Sequence, residues 1–174
     1  MKSILIATAF VLAGCAATPR HGDEGAATRA IDAAMDRSAY AAAIAGPRPE
    51  GEVARDPYRH PQAMLEFIGL HPGQRIADIR PEEGYFTRLF APVVGAEGRV
   101  YAFVPTLTAG REQAFAEGLQ ADYGNVVPVI GELDEMSFPE QLDVVFMGQE
   151  YHDFHIERFD VDVAEMNRRV FAAL

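Results

Sequence analysis

Tyr151-His152-Asp153-Phe154-His155 is the densest run of proton-transferring side chains in the chain. A neutral imidazole near pH 7 is suited to taking a proton from a nucleophile, so His152 is a candidate general base, with Asp153 as an alternative base beside it. A loop held by its own local side-chain hydrogen bonds accounts for the same residues equally well. Read as metal ligands, His152, Asp153 and His155 have no further clustered His or Cys to complete a set, so no metal is expected. His60 and His71 suit a surface or capping role, and Tyr58 and Arg59 either the mouth of a pocket or plain surface. The sequence has no Gly-Lys-Ser/Thr phosphate loop, no Gly-x-Ser-x-Gly elbow and no His-Glu-x-x-His helix.

Composition removes several other chemistries. The 174 residues carry 26 acidic against 15 basic side chains, a net charge of −11, which opposes binding to nucleic acid. Lys2 is the only lysine, which excludes a Schiff-base lysine further along the chain. A single cysteine, Cys15, excludes an intrachain disulfide framework and any Cys-rich metal site. With 49% hydrophobic and 24% charged residues, the profile is that of one globular domain.

Cys15 closes a different pattern. Lys2 precedes an apolar run from Ile4 to Leu12, too short to span a bilayer as a helix, and the run ends in Leu12-Ala13-Gly14-Cys15. This ending resembles the bacterial lipoprotein box. The resemblance implies that residues 1–14 are a signal peptide and that Cys15 is lipidated. Ala16 behind it resembles lipoproteins sorted to the outer membrane, facing the periplasm. A plain signal peptide with a chance cysteine is the alternative. Residues 15–27 read as a tether.

The elements that must position the candidate residues follow. Residues Thr28 to Ala45 predict a helix ended by Gly46-Pro47, and 28–54 as a whole a helix plus connector, with Pro47 to Pro57 extended. A second amphipathic helix is expected from Pro61 to Leu70. Arg75–Ile79, Val100–Val104, Val126–Ile130 and Leu142–Met147 are short apolar runs. Helical patterns at Tyr85–Val94 and Thr108–Tyr123 separate the first three. Strands alternating with helices predict an α/β, Rossmann-like parallel sheet of about four strands with right-handed crossovers.

The stretch from His71-Pro-Gly-Gln-Arg through Asp78-Ile-Arg-Pro-Glu-Glu-Gly-Tyr-Phe-Thr87 resembles class I S-adenosylmethionine-dependent methyltransferases. So do Val93-Val-Gly-Ala-Glu-Gly-Arg-Val-Tyr-Ala102, Leu142-Asp-Val-Val-Phe146 and Gln149-Glu-Tyr-His-Asp153. The resemblance covers 55–174 and implies S-adenosylmethionine as a small-molecule cofactor, bound by Asp78 at the end of the first strand, Gly84 in the turn and Glu132 after strand three. It places His152 and Asp153 where the substrate pocket opens. Three features depart from the family pattern. Glu82 and Glu83 stand at turn glycines, Phe103-Val104-Pro105 lacks the acid that holds the ribose, and the Met166–Leu174 helix is not followed by the Lys-Pro-Gly-Gly turn and further strands. The fourth strand is therefore expected to be an open edge that invites pairing with a second copy of the chain. Three readings follow. The chain is a membrane-anchored methyltransferase with weak cofactor binding, or a non-catalytic binding module that kept the fold and lost the cofactor, or a truncated remnant.

Overall fold

The apolar runs form one parallel sheet: β1 (Arg75–Ile79), β2 (Arg99–Pro105), β3 (Val126–Gly131) and β4 (Val144–Met147). The computed structural model describes residues 36–174, so the leader, Cys15, the tether and residues 28–35 of the first expected helix lie outside the described residues. Strand order is β3-β2-β1-β4, with β1 between β2 and β4. In register, Asp78 stands opposite Ala102 on one side and Phe146 on the other. This is the 3-2-1-4 portion of a doubly wound sheet, and the Rossmann-like fold class expected from the sequence is the one observed. Pro128, which cannot donate to a ladder, lies in the edge strand β3, where this is tolerated. Among the described strands β4 pairs with β1 alone.

Helices cover both faces. The chain opens with α1 over 36–45, followed by α2 (Glu50–Val53), α3 (Asp56–Arg59) and α4 (Pro61–Ile68). Then α5 (Thr87–Val94) and α6 (Thr106–Asp122) connect the first three strands, and α7 (Val163–Ala173) closes the described chain. Successive strand residues point to opposite faces, so β1 and β2 sort their side chains in alternation. Ile76, Val100, Ala102 and Val104 pack under α4, α5 and α6 with Leu65, Phe90 and Leu119. Ala77, Ile79, Tyr101 and Phe103 face the other way, toward Leu133, Phe154 and Met166.

The extended connector expected from Pro47 to Pro57 is not observed; α2 and α3 occupy much of it. The cause is a set of inward-turned charges. Arg48, with its side chain 1% exposed, donates to Asp56 Oδ1 at 3.0 Å and Oδ2 at 2.7 Å, and to the Ile44 carbonyl at 2.9 Å. Arg88 on α5 donates to the buried Glu52 at 2.6 Å. Polar composition suggests a solvated linker, whereas these charges are partnered inside the fold. Helix α1 joins the same core: Tyr40 is buried and its hydroxyl donates to the Leu70 carbonyl at 2.8 Å. No helix among the described residues is long and apolar enough to cross a membrane.

Two changes test this packing. Gly84 has φ +90, and a Cβ there lies 2.5 Å from Leu119 Cδ1. Gly84→Ala combines left-handed strain with an overpacked contact, and a loss on the order of 2–3 kcal/mol is expected in urea unfolding. Arg88→Met leaves Glu52 buried without its cation. It is expected to cost about 3 kcal/mol at pH 7, read from the same unfolding curves.

Candidate functional site

In a doubly wound sheet the strand order reverses between β1 and β4, and ligands sit in the crevice outside the carboxyl ends there. Asp78 lies at that end of β1, on the face toward α5, and is 2% exposed. Thr87, the first residue of α5, donates its hydroxyl to Asp78 Oδ2 at 2.6 Å. Burial pushes the Asp78 carboxyl up to about 7, against the opposing pull of the Thr87 hydrogen bonds and the Arg59 charge.

Two residues further on, Arg80 spans the crevice. Its backbone N–H donates to the Phe103 carbonyl at 2.8 Å, extending the β1–β2 ladder by one bond. Its guanidinium, with the side chain 13% exposed, lies among four carboxylates. Nη1 bonds Glu150 at short range and Asp153 Oδ2 at 3.2 Å, Nε is 3.6 Å from Glu112 Oε1, and Nη2 is 4.0 Å from Glu82. Glu150 and Asp153 follow β4, and Glu112 belongs to α6, so one side chain ties the ends of β1, β4 and α6 together. Desolvation raises the Glu150 carboxyl despite the Arg80 charge. Glu112 is buried and accepts from Thr108 at 2.9 Å and Arg111 at 2.8 Å. The Nε of Arg80 is buried with no hydrogen-bond partner.

The turn that carries these residues is backbone-strained. Arg80, Glu82 and Gly84 have φ of 57°, 53° and 90°, a region that only glycine enters without cost. Glu82, which the resemblance sets at a turn glycine, has the backbone conformation that glycine favours.

A second group of cations approaches from α3 and the segment before it. Tyr85 donates to Asp56 at 2.6 Å, and burial together with Asp56 pushes its hydroxyl up to about 12. The guanidiniums of Arg48, Arg55 and Arg59 lie 5.8, 5.7 and 5.4 Å from its ring centroid. Arg59 also lies 5.7 Å from the centroid of Phe86. Arg55 is 3.9 Å from Glu83, whereas Arg59 has no carboxylate partner among the described residues. It is a cation held on aromatic faces at the rim of the crevice.

The space around Arg80 is divided. Between Arg59, Asp78, Arg80, Glu82 and Phe146 the cavity holds only about 20 Å³, room for about one water. On the α6 side two grooves open beside Arg80. One, of about 430 Å³, is lined by Arg55, Glu82, Glu83, Arg111, Glu112 and Phe115; the other, of about 420 Å³, by Leu107, Thr108, Arg111, Asp153, Arg158 and Phe159. These are volumes typical of small-molecule sites.

The residues singled out from sequence separate into two groups. Asp78 lines the narrow cavity and Asp153 the second groove, Arg80 lines both and bonds Asp153, and Gly84 sits in the turn that follows. His152 is 77% exposed, with Nε2 3.2 Å from Asp153 Oδ1. Glu132 is exposed at the end of β3 and lines none of the three spaces around Arg80. Val104 is wholly buried in the apolar layer, so an acid at that position would enter the core, not the crevice. Tyr58 is 83% exposed, whereas Arg59 lines the cavity. Among the described residues no group of His, Cys, Asp and Glu is arranged to hold a metal. Arg80, Glu112 and Glu150 escaped the sequence reading. An arginine directly after β1, two residues beyond its acid, was the one available signal.

No protein-family model matches the chain. The chain is similar to the ubiquinone/menaquinone biosynthesis C-methyltransferase UbiE of Ectopseudomonas mendocina (strain ymp), 34% identical over 85 residues, which cover 47% of this chain and 32% of that protein. The match thus spans about a third of the length of that curated relative. Among solved structures it is similar to a SAM-dependent methyltransferase from Aquifex aeolicus, with 23% identity, TM-score 0.48 and coverage of 59% of this chain and 54% of that one. It is also similar to the YcgJ protein of Bacillus subtilis, with 20% identity, TM-score 0.47 and coverage of 62% and 42%. Strand order and parallel register define the class, a Rossmann-like parallel sheet with flanking helices.

The Asp78 carboxyl gives a pH test. Its folded value of about 7 lies above the reference value of 3.8. The folded state therefore binds the extra proton, and stability falls as pH rises from about 4 to 7 and levels off above that. The full effect is on the order of 4 kcal/mol. Asp78→Asn, which keeps an acceptor for Thr87, is expected to flatten this slope when urea midpoints are compared at pH 5 and pH 8.

Proposed function

We propose that the chain is an S-adenosylmethionine-binding domain of the methyltransferase type, carried on a lipid anchor at Cys15 in the cell envelope, with weak affinity for its cofactor. The observation that carries this reading is the placement of Asp78, buried at the carboxyl end of β1 beside the strand-order reversal, with two ligand-sized grooves opening beside Arg80 two residues further on. Support for the cofactor comes from similarity to proteins described as a C-methyltransferase and a SAM-dependent methyltransferase. The grooves beside Arg80 have room for such a group, while the cavity that Asp78 and Arg59 line holds about 20 Å³. The residues depart from such a group in charge, because Glu82 and Glu83 face the turn.

When bound, the cofactor supplies a methyl group on a sulfonium to an acceptor nucleophile. In this chain the β1–α5 turn with Asp78 and Gly84 would receive the amino-acid end, and Arg59 would meet its carboxylate. Phe115 and Glu112 would border the adenosyl portion in the α6-side groove. His152, with Nε2 against Asp153, has Nδ1 left to accept a proton from the acceptor. The address is supported by Lys2, the apolar run and the Leu-Ala-Gly-Cys ending.

Titration calorimetry with S-adenosylmethionine is expected to give a Kd of about 100 μM or weaker, the result of losing roughly 3 kcal/mol from a micromolar site. Glu82→Gly is expected to tighten it, since it removes a like charge from the ligand carboxylate and relieves left-handed strain. Micromolar binding by the natural chain refutes the weakness, and no binding by either protein refutes the cofactor. For the anchor, Cys15→Ala is expected to move the protein from the membrane fraction to the soluble fraction, or to leave it unprocessed. Mass spectrometry showing an unmodified Met1 on soluble natural protein refutes it.

A further inference from the structure

Arg80 is not accounted for by the reading above. It carries a full positive charge into the crevice between the ends of β1 and β4, where it is held by carboxylates from three separate elements. Glu82 comes from its own turn, Glu112 from α6, and Glu150 and Asp153 from the segment after β4. Glu82, Glu112 and Asp153 border spaces in which a ligand would have to sit, while Glu150 lines none of them and reaches the site through its bond to Arg80. The other cations that line these spaces are Arg55, Arg59, Arg111 and Arg158, and the remaining anions are Asp78 and Glu83. With Arg80 in place the cluster already holds a cation at its centre, and a second cation gains correspondingly less from it. Without Arg80 the same cluster is a strong cation site, because charges out of water interact through a low effective dielectric.

We propose that Arg80 sets the charge preference of this site: its guanidinium occupies the place of the ligand's cationic centre and turns selectivity away from sulfonium ligands toward their neutral thioether counterparts. The inference rests on the reading of the crevice as an S-adenosylmethionine site. S-Adenosylmethionine and S-adenosylhomocysteine differ by one methyl and one positive charge at sulfur, so the ratio of their affinities reports the charge of the crevice, separately from the affinity itself. Arg80 is thereby a specificity-determining residue, and the weakness expected for the cofactor has its main source in this side chain, with Glu82 and Glu83 secondary.

The test is equilibrium dialysis of the full chain, Arg80→Gln and Glu150→Gln against labelled S-adenosylmethionine and S-adenosylhomocysteine, with folding scored by circular dichroism. The natural chain is expected to bind the thioether at least as tightly as the sulfonium. Arg80→Gln is expected to shift the affinity ratio about tenfold toward the sulfonium, equivalent to about 1.4 kcal/mol. Glu150→Gln, which removes one negative charge from the cluster around Arg80, is expected to shift it the opposite way. If both ligands bind and Arg80→Gln leaves the ratio unchanged, the role given to Arg80 is overturned and the cofactor reading stands. If no variant binds either ligand at millimolar concentration, the cofactor reading fails and this inference falls with it. Should Arg80→Gln not fold, the Glu150→Gln arm decides, and an unchanged ratio there overturns the proposal.

Discussion

A guanidinium withdrawn from water must be paired, and pairing it fixes the position of whatever supplies the carboxylates. Arg80 places this condition at the point where the sheet's strand order reverses. The loop after β4 has to deliver Glu150 and Asp153 to the end of β1, and α6 has to present Glu112 from the other side. Each of those segments is otherwise held by apolar packing with no preference for one charge arrangement. The ion cluster converts a crevice that the fold leaves open into one that is bridged, and the narrow cavity beside Asp78 is the consequence.

The turn between β1 and α5 pays for this placement in backbone strain. Arg80 and Glu82 both adopt left-handed conformations, and alternate residues of the turn face alternate sides as a result. Such conformations persist in non-glycine residues only where the surroundings over-determine them. Here the Arg80 amide is fixed by Phe103, its side chain by the carboxylates, and Gly84 by the close approach of Leu119. The turn therefore combines the left-handed conformations that glycine favours with charged side chains at Arg80 and Glu82.

The segment before the sheet is the second structural support of the site. Asp56, Arg48 and Tyr85 form a half-buried hydrogen-bonded set, and Glu52 with Arg88 forms another beside it. Together they hold α2 and α3 against the start of α5, which brings Arg59 over Tyr85 and Phe86 at the crevice rim. An arginine at this place depends on aromatic faces for its position, because no carboxylate among the described residues claims it.

Short apolar runs at Arg75–Ile79 and Val100–Val104, separated by helical stretches, were enough to read parallel strands from the sequence, because burial on both faces leaves a continuous apolar signature. Asp78 was legible for another reason, the resemblance of the stretch from His71 to Thr87 to methyltransferases. What the tertiary structure decided is the partnership of charges. Arg80 lies 70 residues from Glu150 and 32 from Glu112, and Arg48, Glu52 and Asp56 read as a solvated connector until their partners are known. Hydrophobic burial is set by residue type and spacing along the chain, whereas ion pairing depends on distances across it. For that reason the sheet could be predicted, while the bridged crevice and the buried environment of Val104 became visible only in three dimensions.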